Sequence, residues 1–338
     1  MARTSYATNN ALTKKVWEEK LFRDTKVSSY FNRFFGGDSS IVYEKTNLEK
    51  EKGDKITFGL RMRLTGAGVS GNQQLEGNEE SLTTYAYDIT LDKYRNAVRD
   101  DGALTRQRAM FDVTAEQRAA LLDWGSEKVD KLCFDAIQAD REKVFYSASG
   151  TKSFNVEATA KSAITATDKL TLDFIMFMKT AAKTGFNRTY IPLRPVKIDG
   201  KEHYVLLAHP DVLYDLKTSS DYKEAQREAR ERSKENPLFT GADAIWEGVI
   251  IHEHEWCHIA KDGGAGGNVP WGKVQLLGAQ ALCFAWGKRP YTVEEKFDYQ
   301  DQIGLAWNVI CAAGRPKFNN LTYGSFGATV ARTSVSDS

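Results

Sequence analysis

The sequence predicts an α+β fold of open outline, in which a long two-stranded ribbon, one spine helix and a compact mixed insert follow one another along the chain. The ribbon is the clearest signal. Ile56, Phe58, Leu60, Met62 and Leu64 fall on one side of a strand and Lys55, Thr57, Gly59, Arg61 and Arg63 on the other; Tyr85, Tyr87, Ile89 and Leu91 then oppose Thr84, Ala86, Asp88, Thr90 and Asp92. Between them, Thr65 to Ser81 contains Gly66, Gly68, Gly71 and Gly77 and no core-building run, and a loop of that length in a compact domain usually has a task. Each strand reaches roughly 30 Å. Because a two-stranded ribbon is marginal alone, its apolar stripe predicts a surface supplied by another subunit. The second and third observations are a helical stripe over 114–139 and a compact middle portion of helices and strands between Thr171 and Trp286.

Taken in order, Asn10 to Phe35 reads as a charged helical arm with Leu12, Val16, Trp17, Leu21, Phe31 and Phe34 on a patchy apolar face, stopped by Gly36-Gly37-Asp38. Trp17 is a candidate anchor on a neighbour. After the ribbon, Thr114 and Gln117 suit a capping box, and Ala119, Leu122, Val129, Cys133, Ala136 and Ile137 fall near one stripe of a helix about 39 Å long. Gly125 inside it predicts a close packing contact or a bend. Asp140 to Thr167 lacks period and reads as an irregular excursion. A helix over Thr171 to Thr184 ends at Gly185, Tyr204 to Ala208 is a buried strand, and His209-Pro210-Asp211 opens a helix with proline at its first position. Ser219 to Lys234 is a charged helix. Val249 to Ile251 and Val274 to Trp286 supply strands, with Asp262 to Asn268 a flexible loop between them. Tyr291, Val293, Glu295, Phe297 and Tyr299, then Ile303, Leu305, Trp307 and Val309, return as a long strand pair.

Composition narrows the function. With 41% hydrophobic and 11% aromatic residues a sizeable core is available, and 46 basic against 45 acidic residues leave no global positive field to draw the chain onto nucleic acid. Cys133, Cys257, Cys283 and Cys311 are too scattered for a disulfide framework or a paired ligand motif and read as buried free thiols. No apolar run has the length of a signal peptide or membrane span, so the expectation is a soluble chain made in the cytoplasm, without membrane partners, whose ends are held by partners and whose Met1 is retained.

One catalytic pattern stands out. His254-Glu255-Trp256-Cys257-His258 matches a zinc peptidase signature, in which two histidines one helical turn apart hold the metal and the glutamate activates water. Here Gly248 to Ile251 is strand-like and Gly263 to Gly267 follows, so the helix that the chemistry needs is not predicted, and the reading is no metal, no cofactor and no enzyme. A structural zinc on His252, His254 and Cys257 is the lesser alternative. The glycine cluster lacks the Lys-Ser/Thr of a phosphate loop.

Thr8 to Leu12, Gly53 to Phe58 with Arg61 to Gly66, Leu75 to Glu80, Arg194 to Lys197, His209 to Asp211, Asn236 to Ala242 and Gly248 to His254 together resemble the tailed-bacteriophage major capsid proteins of the HK97 fold, over nearly the whole length. The resemblance implies an N-terminal arm (1–52), an extended loop (53–100), a peripheral domain with the spine helix (101–187), an axial domain (188–287), and returning peripheral strands with a C-terminal tail (288–338). It implies a structural protein that self-assembles as hexamers and pentamers into an icosahedral virion shell around double-stranded DNA held without sequence preference. A portal protein at one vertex, a decoration protein and a separate scaffolding protein complete the implied partners. The scaffold is expected to be separate because the extended loop begins by residue 53. Encapsulin-type nanocompartment shells share the fold and are the alternative; a zinc hydrolase through His254, Glu255 and His258 is the remote one.

Gly66 to Glu80 holds no lysine, which argues against a covalent link from the loop. Glu76, Glu79 and Glu80 instead suggest ionic docking on a neighbour, with Arg95, Arg99, Arg106 and Arg108 as candidate receivers. The expected inter-subunit residues are therefore Ile56, Phe58, Leu60, Met62, Leu64, Glu76, Glu79, Glu80, Tyr85, Tyr87 and Trp17.

Overall fold

The computed structural model describes residues 28–46, 53–61, 64, 66, 68–188, 192–198, 200–228, 244–318 and 321–334. Strands β1 (Phe35–Gly36), β2 (Val42–Lys45), β3 (Lys55–Arg61), β4 (Thr84–Thr90) and β5 (Asp92–Arg99) come first, then helices α1 (Ala103–Arg108) and α2 (Val113–Gln138). A hairpin, β6 (Val144–Ala148) and β7 (Thr151–Asn155), leads to α3 (Glu157–Ala163), α4 (Leu172–Arg188), β8 (Val196–Ile198), β9 (Lys201–Ala208), α5 (Pro210–Thr218) and α6 (Ser220–Glu228). The remainder is strand: β10 (Ala244–Trp246), β11 (Val249–Glu253), β12 (Ile259–Gly263), β13 (Val269–Leu277), β14 (Leu282–Phe297), β15 (Gln302–Gly314), β16 (Lys317–Phe318), β17 (Leu321–Thr322) and β18 (Ser325–Ala331).

Two sheets organise these elements. The first has the order β1-β2-β14-β15-β5, and the spine helix α2 lies across one face of it. Residues 117, 121, 125, 129, 133 and 137 are all buried, a run of i+4 steps along that contact. Ala119, expected in the stripe, is exposed, and Asp112 rather than Thr114 caps the helix, accepting from the backbone N–H of Thr114 and Ala115. Gly125 is a close contact, as expected: a Cβ there would meet Trp307 Cε2 and Cζ2 at 2.7 Å.

The second sheet runs β10-β11-β9-β13-β18-β6-β7, with β12 on β13 and β8 on β9. Its core joins Phe174, Ile175 and Met178 of α4 and Val212, Leu213 and Leu216 of α5 to Tyr204, Leu206 and Val274. β6, β7 and β18 join this sheet from outside 188–287, and β5 joins the first sheet from within 53–100.

Several expectations are corrected locally. The stretch 140–167 is ordered: Ser149 and Gly150 take φ of +50° and +84°, closing a two-residue hairpin turn, and α3 follows. Residues 264–267 close the β12–β13 hairpin rather than floating, and the Gly264 amide donates to Lys161 O at 2.8 Å. Gly185 has the left-handed φ of +69° expected of a stop, yet helical turns continue to Arg188. Tyr299 is not on a strand. Asp298, Tyr299 and Gln300 break the alternation as a left-handed turn between β14 and β15. The charged helix is described only as α6, and the arm before residue 28, with Trp17, lies outside the described residues.

The two sheets meet at the C-terminal end of α2. Arg141, buried there, donates to Ile137 O at 3.1 Å, Gln275 Oε1 at 2.6 Å and Ser325 O at 2.9 Å. Arg315 donates to Ala139 O at 2.7 Å and Asp140 O at 3.0 Å. Helix C-termini leave carbonyls without partners and favour cations, and here two arginines from different segments supply both needs.

Candidate assembly surfaces

The ribbon divides into a base that the chain covers itself and a tip that it does not. Ile56, Phe58 and Ile89 pack on Cys283, Ala285 and Ala312 of β14 and β15, with Tyr43, Tyr87 and Leu91 around them. Small residues in those strands give β3 and β4 room to lie down: a Cβ on Gly314 would meet Tyr87 Oη at 2.8 Å and Ile89 Cδ1 at 3.0 Å. Lys45 strengthens the seat, donating to Thr57 O at 2.8 Å with its ammonium 4.6 Å from the Phe58 ring centre. The expectation that the whole stripe awaits a neighbour is therefore corrected for Ile56 and Phe58, which are 4% and 2% exposed. Apolar surface that reaches its own sheet is buried there without any association step.

Farther out the picture changes. Leu60, Tyr85 and Tyr87 are half-buried, and Leu64, Leu75 and Leu82 stand 56%, 61% and 56% exposed. The register pairs Phe58 with Tyr87 and Leu60 with Tyr85. Met62 lies outside the described residues. The glutamates of the tip have partners inside it: Glu80 accepts from the Gly66 N–H at 2.7 Å and Glu79 from the Gly77 N–H at 2.8 Å, while Glu76 accepts from Gln74 Nε2 at 3.3 Å. They brace an excursion whose Gly68, Gly71 and Gly77 all have positive φ. Sequence reasoning reads these acids only as docking charges; the signal for their second role lies in the glycines beside them, whose bare amides need acceptors.

Of the four candidate receivers, two are committed at home. Arg106 pairs with the buried Asp100 and donates to Asp301 O at 2.8 Å, and Arg99 bonds Gln302 with its guanidinium 4.2 Å from the Phe297 ring centre. Arg95 and Arg108 are exposed.

Residues 254–258 form a turn after β11, not a helix, so the two-histidine geometry of the peptidase signature is not formed. The His254 ring lies 4.3 Å from Phe134 and 4.5 Å from Tyr30, and its Nδ1 accepts from the Trp256 N–H at 3.1 Å. Burial pushes its pKa below the usual histidine value. His258 faces Trp271 instead, with ring centres 5.4 Å apart, and His252 is wholly buried beside Phe34. Cys257 is buried and its thiol is pushed up to about 12. Among the described residues no group of three His, Cys, Asp or Glu side chains converges as a metal site.

Comparison with known proteins agrees in kind. A family model described as phage capsid protein matches residues 3–335. The major capsid protein of Pseudomonas phage KPP25 is 28% identical over an alignment of 355 residues that takes in 94% of this chain and 93% of that protein. Among solved structures, the capsid of Ralstonia phage GP4 is similar with a TM-score of 0.79 at 23% identity, covering 99% of this chain and 96% of that one. The cyanophage Pam1 capsid gives 0.73 at 21% identity, covering 99% and 95%. The acid-stable capsid of Helicobacter pylori bacteriophage KHP30 gives 0.71 at 15% identity, covering 90% and 91%.

Proposed function

The chain belongs to the phage capsid protein family, and from that premise we propose how its copies hold one another. The protein is a major capsid protein, a structural component of a multi-subunit shell and part of the virion. In our reading the copies associate as hexamers and pentamers around double-stranded DNA, and each lends the outer half of its ribbon to a neighbour. What supports this is the split in the ribbon: its base is seated on β14 and β15, while the tip carries Leu64, Leu75 and Leu82 in solvent on a loop that its own glutamates hold in shape. A seated base and a braced tip present apolar side chains at low ordering cost, and modest contacts then recur at every copy of a closed shell.

Leu60, Tyr85 and Tyr87 form the rim between base and tip, and Arg95 and Arg108 are the receivers left for Glu76 and its neighbours. A portal protein at one vertex, a separate scaffolding protein and a decoration protein are proposed from family membership alone. Bound DNA would be held without sequence preference, in keeping with a net charge of only +1. The nanocompartment alternative has no comparison in its favour. Electron microscopy of the expressed full-length chain beside a variant lacking residues 65–81 tests the reading. Closed shells are expected from the first and folded, unassembled subunits from the second; normal shells from the deletion variant would remove the tip from the assembly mechanism.

A further inference from the structure

The five-stranded sheet turns one face to α2, and its opposite face carries Val293, Ala306 and Ala97 side by side across β14, β15 and β5, with Glu295, Gly304 and Arg99 in the next row. At the hairpin end Phe297 lies across Gly304, where a Cβ would come within 2.8 Å of the ring, and the Arg99 guanidinium sits 4.2 Å from its centre. These residues line an open hollow of about 210 Å³. Its wall is apolar and aromatic, its rim carries one carboxylate and one guanidinium, and Val293 in it is 40% exposed.

The turn that closes the same hairpin is strained. Asp298, Tyr299 and Gln300 follow one another at φ of +45°, +50° and +75°, a left-handed stretch without a single glycine. Tyr299 at its apex is 103% exposed. An aromatic ring held in water on strained backbone buries no area against the described residues of its own chain, and it does not line the neighbouring hollow. Strain of this kind persists where a conformation is used.

We propose that Tyr299 of one copy seats in the Phe297–Arg99 hollow of a second copy, making the β14–β15 tip a subunit contact. This rests on the reading that the chain builds a shell of many copies, which supplies knob and hollow in equal number. The chemistry matches: a tyrosine ring meets Phe297 edge-to-face, and its hydroxyl reaches a polar rim where Glu295 accepts. Tyrosine is also a residue that concentrates interface energy in small, water-excluding pockets. Knob and hollow are different surfaces, so the contact runs head to tail and closes by rotation around an axis.

The test uses shells made from a mixture of full-length Tyr299→Cys and Ala306→Cys subunits, run without reductant. Cys133, Cys257, Cys283 and Cys311 are free and buried, so they add little background. A cross-linked dimer is expected in mixed shells, absent from unassembled mixed subunits and far weaker with either variant alone. Mixed shells without that dimer overturn the contact and leave the shell reading intact, whereas wild-type chains that never form shells would overturn the shell reading itself. If the thiol introduced by Ala306→Cys is protected from a thiol reagent in shells that show no cross-link, something other than Tyr299 fills the hollow, which also overturns the proposal. Tyr299→Gly decides independently, including the case in which the cysteine mixtures do not assemble. Glycine relieves the left-handed strain, so the isolated subunit should melt at a higher temperature while shell yield at matched concentration falls by roughly tenfold or more. Yield and melting temperature moving in the same direction, or an unchanged yield, would overturn it, and Tyr299→Phe should recover most of the assembly.

Discussion

Gly125 and Trp307 are in direct contact across the interface between α2 and the five-stranded sheet, with the indole ring filling the space that a side chain at 125 would occupy. The ring is wholly buried and also meets Trp124 edge-on, with centres 5.4 Å apart at 83°. It has no open direction in which to retreat.

This sets two effects of known size against each other at one position. Gly125→Ala gains about 1 kcal/mol of helix propensity, whereas forcing a methyl into a filled core costs about 1–3 kcal/mol. The core term should win, so urea unfolding of the isolated subunit should show a net loss of about 1 kcal/mol. Combining Gly125→Ala with Trp307→Phe should cost less than the sum of the two single changes, because the smaller ring makes room; strict additivity would show that the contact is not the cause.

The tip glutamates separate shape from charge. Glu80→Gln keeps an oxygen to accept the Gly66 amide and should assemble almost normally, since an exposed ion pair is worth only about 0–1 kcal/mol. Glu80→Lys removes the acceptor as well. Replacing Glu76, Glu79 and Glu80 together by lysine should abolish shells at low salt, as read by sedimentation. If the triple change assembles with wild-type yield at both low and high salt, neither the braces nor the charges matter.

His254 packs between Tyr30 and Phe134 and accepts from the Trp256 amide, so His254→Ala should lower subunit stability by about 1–2 kcal/mol through lost ring packing and an unsatisfied N–H. Glu255 is exposed and its replacement by alanine should change little. Elemental analysis of washed particles should find no stoichiometric zinc; one zinc per subunit would restore the metal reading.

How much of this is legible in the sequence follows from distance along the chain. Alternation over 55–64 and 84–92 predicts a ribbon, and the observed pairing of Ile56 with Ile89 is what that pattern requires. What covers the ribbon cannot be read, because Cys283, Ala285 and Ala312 are small residues about two hundred positions away that carry no local signal of a receiving surface. The same holds for Arg141 and Arg315, isolated arginines whose role as partners of the α2 carbonyls exists only once β15 and β18 are in place. Tyr299 misleads for a local reason: its spacing continues the alternation of β14, and nothing in Asp-Tyr-Gln announces a left-handed turn, which ordinarily selects glycine or asparagine.

Asp168 gives the fold an acid-sensitive joint. Its carboxylate accepts from Thr165 Oγ1 at 2.5 Å, Thr165 N at 2.8 Å, Ser149 N at 3.2 Å and Gly150 N at 3.3 Å, while its own carbonyl accepts from Ala331 N at 2.9 Å. One residue thereby ties the β6–β7 turn to β18. Burial alone would raise its pKa, but the hydrogen bonds from Thr165, Ser149 and Gly150 outweigh burial and hold it below the usual carboxylate value. A depressed carboxylate pKa contributes stability above the unfolded-state value of about 3.9, and that contribution is lost as pH falls through the lower folded value. Asp168→Asn should therefore be less stable than wild type near neutral pH by about 2 kcal/mol, since asparagine lacks the charge and offers only one oxygen to these donors. As pH falls below the unfolded-state value of about 3.9 and through the lower folded value the gap should narrow, because the wild-type carboxyl becomes protonated as well. Unfolding midpoints of the two subunits measured from neutral pH down to acid would check this, and a difference that stays constant across the range would show that Asp168 acts by packing and not by its charge.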